Sequence, residues 1–126
     1  MTLPDGDALV LLHNPRCSKS RAALALLEER GARFETRLYL EAPLCRGELE
    51  ELGRRLGRGV LGFTRTREDA FAQAGLSGDS DEGAVLDAMV DAPILMERPI
   101  LVGATRAVIG RPPEDILDLL PDGKPA

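Results

Sequence analysis

Residues 9–31 read LVLLHNPRCSKSRAALALLEERG, and this stretch decides the fold. Residues 9–12 are a short apolar run that ends in a polar turn, which is the pattern of a strand buried on both faces. From Ser18 the sequence is rich in Ala and Leu, and Gly31 is a residue that favours the end of a helix. The stretch therefore predicts a strand that enters a helix through the loop 13–17.

Residues 33–40 alternate in a way that is typical of a second strand with one face in solvent. A strand, a helix and a strand in this order predict a right-handed parallel unit. One set of alternate residues is Phe34, Thr36, Leu38 and Leu40, and the more polar set is Arg33, Glu35, Arg37 and Tyr39.

Helices are predicted after the second strand. One carries a stripe of Leu49, Leu52 and Leu56, with Cys45 at its N-cap and Glu48 three residues further on. A connection rich in Gly and Arg then leads to a short helix that includes Ala70, Phe71 and Ala74.

The rest of the chain predicts another helix, a hairpin and a last helix. Asp79 with Glu82 resembles a capping box, and Pro93 marks the end of that helix. Residues 99–102 and 107–109 flank a short link, as the strands of a hairpin do. The last helix is predicted to have Pro112 and Pro113 in its first turn, Ile116, Leu117 and Leu120 facing inward, and Pro121 at its end.

The order of elements is therefore strand, helix, strand, three helices, hairpin and helix. This is an α/β layout of the thioredoxin-like (glutaredoxin-like) kind, with a mixed sheet and a helical insertion between the second strand and the C-terminal hairpin. The insertion covers about residues 45–92. The 126 residues, 44% of them hydrophobic, fit a single domain over 1–126 with a core over about 9–120.

Composition excludes several classes of function. Sixteen Lys and Arg stand against 21 Asp and Glu, and a net charge of −5 is the wrong sign for a protein that coats nucleic acid. No apolar run approaches the roughly 20 residues needed to cross a bilayer, and the acidic start lacks the basic front of a signal peptide. We expect a cytoplasmic monomer that binds neither nucleic acid nor membranes. With one histidine, His13, the chain has too few soft ligands for a zinc site, and no metal site is predicted.

Cys17 is the candidate nucleophile. It stands where the first strand ends and the helix begins, so unpaired backbone N–H groups and the positive end of the helix dipole point at its sulfur. The cationic neighbours Arg16, Lys19 and Arg21 also favour a thiolate. Position alone leaves two interpretations open, a reactive thiolate and a small buried hydrophobic residue.

The loop over residues 13–21, HNPRCSKSR, resembles the active-site loop of the glutaredoxin-coupled arsenate reductases and their close relatives. The version of the loop over residues 16–20 is similar to a less-characterised branch of that family. The resemblance spans about residues 9–120. Further matching positions are Tyr39-Leu40-Glu41 with Pro43, Arg65 ahead of Gly75-Leu76, Glu97-Arg98-Pro99-Ile100 and Gly110-Arg111-Pro112.

The resemblance implies that Cys17 attacks arsenic while Arg65, Arg98 and Arg111 bind and neutralise the oxyanion. Guanidinium groups offer paired donors that suit a tetrahedral oxyanion, and such charge-assisted bonds are about twice as strong as neutral ones. They also stabilise the charge that develops as hydroxide leaves. Without the resemblance, these arginines are interpreted as solvated partners of the many acidic residues.

Auxiliary roles follow for four more residues. His13 is expected to tune the surroundings of the nucleophile, although a lone histidine is also a common structural residue. Ser20 is expected to offer its hydroxyl to the thiolate, and its alternative role is that of a first-turn serine. Arg21 adds positive charge. Pro99 stands where the superfamily places a cis proline, but the sequence does not give the isomer.

The implied reaction uses no bound cofactor or metal. Thiolate attack on arsenate, or on a similar oxyanion, gives an adduct on the cysteine. Glutathione displaces it as arsenite, and glutaredoxin reduces the resulting mixed disulfide. Ser20 stands where a Cys-x-x-Cys enzyme keeps its second thiol, which agrees with the use of external thiols. Cys45 is expected to be a cap or packing residue, and its alternative role is that of a reactive thiol at a helix start.

Three other functions compete with this one. A phosphatase of the Cys-x5-Arg type is excluded, because the sixth residue after Cys17 is Ala23. A redox-sensing transcription regulator of the same fold is disfavoured, because its usual two-cysteine switch is missing here. A thiol oxidoreductase of the same family that acts on another substrate stays open, because fold and loop do not settle the substrate.

Overall fold

The computed structural model describes residues 3–6 and 8–120. Its strands are β1 (Val10–His13), β2 (Glu35–Leu38), β3 (Ile100–Val102) and β4 (Ala107–Ile109). They form a sheet in the order β2-β1-β3-β4, in which β1 pairs in parallel with β2 while the other two pairings are antiparallel. The predicted mixed sheet is confirmed.

Strand β1 is buried on both faces, as its sequence predicts. Leu11 and Leu12 have no exposed surface, and they belong to two different apolar clusters. Because successive side chains of a strand point to opposite faces, the sheet separates these two clusters. Leu11 packs with Leu27 and Ile116, and Leu12 lies in the cluster that contains Tyr39.

Helix α1 (Ser18–Glu29) begins directly after Cys17, which is its N-cap residue. Ala23 and Leu27 are its buried apolar residues and face the first of these clusters. Gly31 follows the helix with a φ of 65°, in the left-handed region that glycine adopts without steric cost. The predicted start and end of this helix are confirmed.

The helices after β2 cover the other face. The predicted start of the first of them is confirmed, because the Glu48 carboxylate accepts a hydrogen bond from the Cys45 N–H at 3.1 Å. These helices are α2 (Arg46–Leu56), α3 (Asp69–Gln73) and α4 (Glu82–Asp91), and 3-10 turns lie at Val60–Phe63 and Pro93–Leu95.

The predicted start of α4 is wrong by two residues. Asp81 is the N-cap residue, in place of the predicted Asp79. The Glu82 carboxylate is engaged elsewhere, because it accepts a hydrogen bond from the Val60 N–H at 3.3 Å. Asp79 instead belongs to a polar turn in which its N–H donates to Ser77 Oγ at 3.2 Å.

The predicted face of β2 is wrong for Arg37 and Tyr39. Both belong to the more polar alternate set, yet Arg37 is 7% exposed and Tyr39 is 0% exposed, whereas Leu40 is 40% exposed. The strand ends at Leu38, so its alternation does not extend through residue 40. Arg37 is buried because the Glu48 carboxylate, at 2.7 Å, and two backbone carbonyls of the following turn accept its hydrogen bonds.

The last predicted helix is a 3-10 helix, Pro113–Leu119, with Ile116 buried. Pro121, the predicted end, lies outside the described residues. Gly110 allows this segment to approach β3 closely, because a Cβ at position 110 would lie 2.8 Å from the side chains of both Pro99 and Ile116. The Gly110 N–H donates to the Pro99 carbonyl oxygen at 2.8 Å, which ties the two segments together.

Candidate active site

The loop between β1 and α1 is shaped by the buried residue Asn14. Its carbonyl oxygen accepts a hydrogen bond from the Cys17 N–H at 3.0 Å, and its Oδ1 accepts one from the Arg16 N–H at 3.0 Å. An Asn side chain that closes a turn on a nearby N–H is a common local motif. The turn fixes Cys17 at the entrance to α1.

Cys17 is partly exposed and its thiol is free. Burial by itself raises the pKa of this thiol. The backbone N–H of Ser20 and the Arg98 guanidinium oppose burial, the Lys19 N–H adds to their effect, and the pKa of Cys17 is lowered overall. A partly exposed thiol that favours the thiolate has the properties of a nucleophile and not those of a buried packing residue.

His13 and Ser20 form a buried pair behind the cysteine. Ser20 Oγ lies 2.7 Å from His13 Nδ1 and accepts a hydrogen bond from the Asn14 N–H at 3.0 Å. Burial, and next the positive charge of Arg21, lower the pKa of His13. A neutral imidazole whose Nδ1 carries no proton accepts the Ser20 O–H, and Ser20 Oγ then donates to His13 and accepts from Asn14.

This pairing corrects the role expected for the Ser20 hydroxyl. The hydroxyl bonds His13 and not the thiolate, and it is the backbone N–H of Ser20 that favours the charged sulfur. His13 therefore has no direct bond to the sulfur among these contacts, and it acts on the loop through its bond to Ser20. Arg21 is exposed, and its Nη1 donates to the Pro15 carbonyl oxygen at 2.9 Å, which places it on the outside of the loop.

Arg98 is the predicted arginine that lies close enough to Cys17 to bond its sulfur. Its Nε and Nη1 are buried and have no hydrogen-bond partner among residues 3–6 and 8–120. Arg111 Nε donates to the Arg98 carbonyl oxygen at 3.0 Å and so holds the backbone that carries this side chain. The backbone of Arg98 is thus held by Arg111, while two of its three guanidinium nitrogens have no partner among the described residues.

Arg65 and Arg111 lie around Glu97. Glu97 Oε1 is 4.0 Å from Arg65 Nε and 3.8 Å from Arg111 Nε, and Arg65 Nη1 pairs with Glu68 Oε2 at 2.9 Å. These four side chains line a polar cavity of about 370 Å³. The structure therefore places Arg98 beside the Cys17 sulfur and the other two arginines at a neighbouring cavity. Arg111 connects the two places, because it lines the cavity and also bonds the Arg98 carbonyl oxygen.

The Arg98–Pro99 peptide bond is cis, which gives the isomer that the sequence left open. A second cis bond joins Arg111 to Pro112. Both of these arginines therefore immediately precede a cis proline.

Sequence reasoning missed three residues of this site. Asn14, Tyr39 and Glu97 stand inside motifs that carry the resemblance, but the sequence assigns none of them a role in the site. The signal for Tyr39 is topological: His13 and Leu38 are register partners in the parallel pair β1 and β2, so the residues that follow them emerge at the same edge of the sheet.

Other features of the described residues lie away from this site. A cavity of about 640 Å³ between α2 and α4 includes none of the predicted site residues. Residues 3–6 and 8–120 hold no group of three or more His, Cys, Asp or Glu side chains placed to bind a metal ion. No helix among them has the length and apolar character to span a membrane.

The profile of the ArsC family matches residues 12–119, a range that includes Cys17 and the three arginines. The chain belongs to the ArsC family. This ArsC-family chain is 44% identical over 108 residues to an "Arsenate reductase" of Neisseria meningitidis serogroup A, a match that covers 84% of this chain and 92% of the relative. It is also 46% identical over 112 residues to the "Uncharacterized protein YfgD" of Escherichia coli K12, with 87% and 94% covered.

Solved structures of the family have the same fold. An arsenate reductase from Vibrio cholerae superposes with a TM-score of 0.86 at 38% identity, over 92% of this chain and 100% of that one. A "Putative arsenate reductase" from Yersinia pestis superposes with a TM-score of 0.83 at 42% identity, over 88% and 99%. The ArsC-family chain thus has the thioredoxin-like mixed α/β fold that its order of elements predicts.

Proposed function

We propose that this chain is an arsenate reductase whose nucleophile is Cys17. The observation that carries the proposal is the pairing of a thiol of lowered pKa, at the start of α1, with the Arg98 guanidinium. Membership of the ArsC family, with relatives named arsenate reductase at 34–44% identity and the uncharacterised YfgD at 46%, supports this reaction as the chemistry of the site.

In the first step the anion binds at Arg98. The unpaired Nε and Nη1 of this residue offer donors for oxyanion oxygens, and a charge-assisted bond to each offsets the cost of burying those nitrogens. The Cys17 thiolate then attacks arsenic. A sulfur–arsenic bond forms, one arsenic–oxygen bond breaks, and the leaving oxygen departs as hydroxide that is protonated to water.

The second step needs two electrons, which we propose come from Cys17 and glutathione. A glutathione thiolate attacks the Cys17 sulfur, arsenic leaves as As(III) with the electron pair of the sulfur–arsenic bond, and arsenite is released. The product on the protein is a disulfide between Cys17 and glutathione, and a glutaredoxin thiol reduces it by exchange. Ser20 supports a need for external thiols, because its side chain bonds His13 and supplies no thiol.

Arg65 and Arg111 serve the same reaction from the neighbouring cavity. Glu97 lies within 4.0 Å of both guanidinium groups and holds them near one another before the anion arrives. Since exposed ion pairs are weak, an incoming oxyanion that bonds the guanidinium groups directly can compete with this carboxylate.

The test is the release of arsenite by purified protein supplied with arsenate, glutathione and glutaredoxin. We expect turnover in the wild-type protein and none in Cys17→Ser. Cys45→Ser is the matched control, because Cys45 is also a free thiol at a helix N-cap and has no part in the proposed steps. It should keep full turnover.

The assay also separates the parts of the proposal. Arsenite release that persists in Cys17→Ser contradicts the mechanism. Release that needs glutathione but proceeds equally well without glutaredoxin removes glutaredoxin from the cycle. If the wild-type protein releases no arsenite, yet its Cys17 forms a disulfide with glutathione, the activity is that of a thiol oxidoreductase with another substrate.

A further inference from the structure

Three buried side-chain atoms of the described residues have no hydrogen-bond partner: Tyr39 Oη, Arg98 Nε and Arg98 Nη1. Folded proteins pair nearly all buried polar atoms, and an unpaired one costs about 1–3 kcal/mol. Two of the three belong to the arginine beside Cys17. The third, Tyr39 Oη, belongs to a residue near the same site, so a ligand bound there is a candidate partner for all three atoms.

Tyr39 leaves β2 at the edge of the sheet where the Cys17 loop leaves β1. His13 pairs with Leu38, so Asn14 and Tyr39 follow two register partners. The ring is fully buried in the cluster that contains Leu12. Its hydroxyl oxygen faces the Asn14 side chain and lies within the electrostatic reach of three charged groups of the site, which are the guanidinium groups of Arg98 and Arg65 and the Cys17 sulfur.

The Tyr39 hydroxyl stays protonated over the range in which the thiolate forms. Burial raises the pKa of Tyr39 to about 12, against the lowering effect of Arg98 and then of Arg65. The group is therefore a neutral donor set among cations.

The Tyr39 O–H donates a hydrogen bond to no acceptor among residues 3–6 and 8–120. Two other buried hydroxyls show the contrast: Ser20 Oγ bonds His13 and Asn14, and Thr64 Oγ1 donates to the Val60 carbonyl oxygen at 2.6 Å. A tyrosine whose hydroxyl had only a packing role would be replaceable by phenylalanine without any loss. The neighbours of this hydroxyl are instead the groups that hold an anion.

We propose that the Tyr39 hydroxyl donates a hydrogen bond to the oxyanion held at Arg98, which makes Tyr39 a substrate-binding residue of this site. The proposal rests on the proposed function for the identity of the anion. The hydroxyl adds a neutral donor that follows β2 to the charged donor that precedes β3. Two donors from different segments of the chain fix the orientation of a tetrahedral anion against the Cys17 sulfur better than one does.

The test measures how well inorganic arsenate protects Cys17 against alkylation by iodoacetamide. Both proteins carry Cys45→Ser, so that Cys17 is the one thiol that reacts. In Tyr39→Phe we expect the arsenate concentration for half-protection to rise by roughly tenfold or more, which is the loss of one hydrogen bond to a charged group. The melting temperature should stay equal or rise, because the substitution removes an unpaired buried hydroxyl.

Met89→Leu is the matched control. Met89 and Tyr39 line the same small apolar cavity, so this substitution disturbs the packing of the ring and leaves the hydroxyl in place. It should keep the wild-type half-protection concentration. The dependence of alkylation on pH should also be the same in Tyr39→Phe and in the parent protein, because the free structure has no bond from the hydroxyl to the sulfur.

The outcomes separate this proposal from the proposed function. Equal protection in Tyr39→Phe and parent overturns the role of Tyr39 and leaves arsenate reduction intact. Weaker protection in Tyr39→Phe, in a protein that releases no arsenite, supports Tyr39 and overturns the reductase activity. A parent protein that arsenate does not protect overturns both. An altered pH profile with equal protection assigns the hydroxyl to the thiolate and also overturns the proposal.

Discussion

Arg37 and Arg98 both bury guanidinium nitrogens, and they differ in what those nitrogens meet. All three nitrogens of Arg37 donate hydrogen bonds, to two backbone carbonyls and to both oxygens of Glu48. Two nitrogens of Arg98 have no hydrogen-bond partner among residues 3–6 and 8–120, and the guanidinium lies beside the Cys17 sulfur. A fully paired arginine lowers the free energy of the fold, whereas an unpaired one raises it unless a ligand binds.

The comparison shows that the role of an arginine follows from its partners and not from its burial. Arg37 connects β2 to the start of α2, because Glu48 also caps that helix. Arg98 precedes β3, and its side-chain contact at the start of α1 is the reactive Cys17 thiol. The same substitution should therefore lower mainly the stability at Arg37 and mainly the activity at Arg98.

The largest effect is expected for Arg37→Met. Removing one member of a buried ion pair leaves the other charge unpaired and costs about 3–5 kcal/mol of unfolding free energy. The side chains of Arg37 and Glu48 are 6% and 10% exposed, so this range applies. Urea unfolding followed by circular dichroism measures the loss. The kcat/KM for arsenate, taken at a temperature where the variant is folded, should stay within about twofold.

The double variant Arg37→Met with Glu48→Gln is the control for that loss. The amide keeps an acceptor for the Cys45 N–H and carries no charge, so most of the lost stability should return. If the double variant is as unstable as Arg37→Met, the loss comes from packing and not from an unpaired carboxylate.

The next effect is that of Arg98→Met on catalysis. Removal of a donor to the developing charge should lower kcat/KM for arsenate by about 10²–10³, or about 2.7–4 kcal/mol. The unfolding free energy should stay equal or rise, because the substitution removes two unpaired buried nitrogens and leaves no partner without a hydrogen bond. A loss of stability as large as that of Arg37→Met would erase the difference between the two arginines.

The smallest effect is a shift in the pH dependence of Cys17. The lowered pKa means that thiolate persists at a lower pH than in an ordinary thiol, so alkylation in the Cys45→Ser background should reach half its maximal rate below the usual pH. Burial raises this pKa, while the Ser20 N–H and then Arg98 lower it. Arg98→Met should therefore move the midpoint to higher pH but not abolish reactivity, and Arg37→Met should leave it in place. An unmoved midpoint in Arg98→Met would contradict the contact.

The elements that the sequence predicted are those with a local cause. The apolar run of β1, the capping residues of α2 and the glycine after α1 act over a few residues, and each has the predicted effect. The errors arise where a side chain has a partner far along the chain. Glu82 bonds Val60, which moves the start of α4, and Arg37 bonds Glu48, which buries Arg37 although its neighbour on the same face, Glu35, is exposed.

The same division holds within the site. The sequence by itself determined that Cys17 stands at a strand-to-helix junction, because the strand, the loop and the helix are consecutive. It also determined the family, through motifs spread along the chain. Only the tertiary structure decided that Ser20 turns its hydroxyl to His13, that Arg98 reaches the sulfur, and that Tyr39 carries an unpaired hydroxyl to the same place. The first fact depends on how the loop between β1 and α1 closes on itself. The other two depend on how β1, β2 and β3 lie side by side, and pairing between distant strands is not encoded in any one of them.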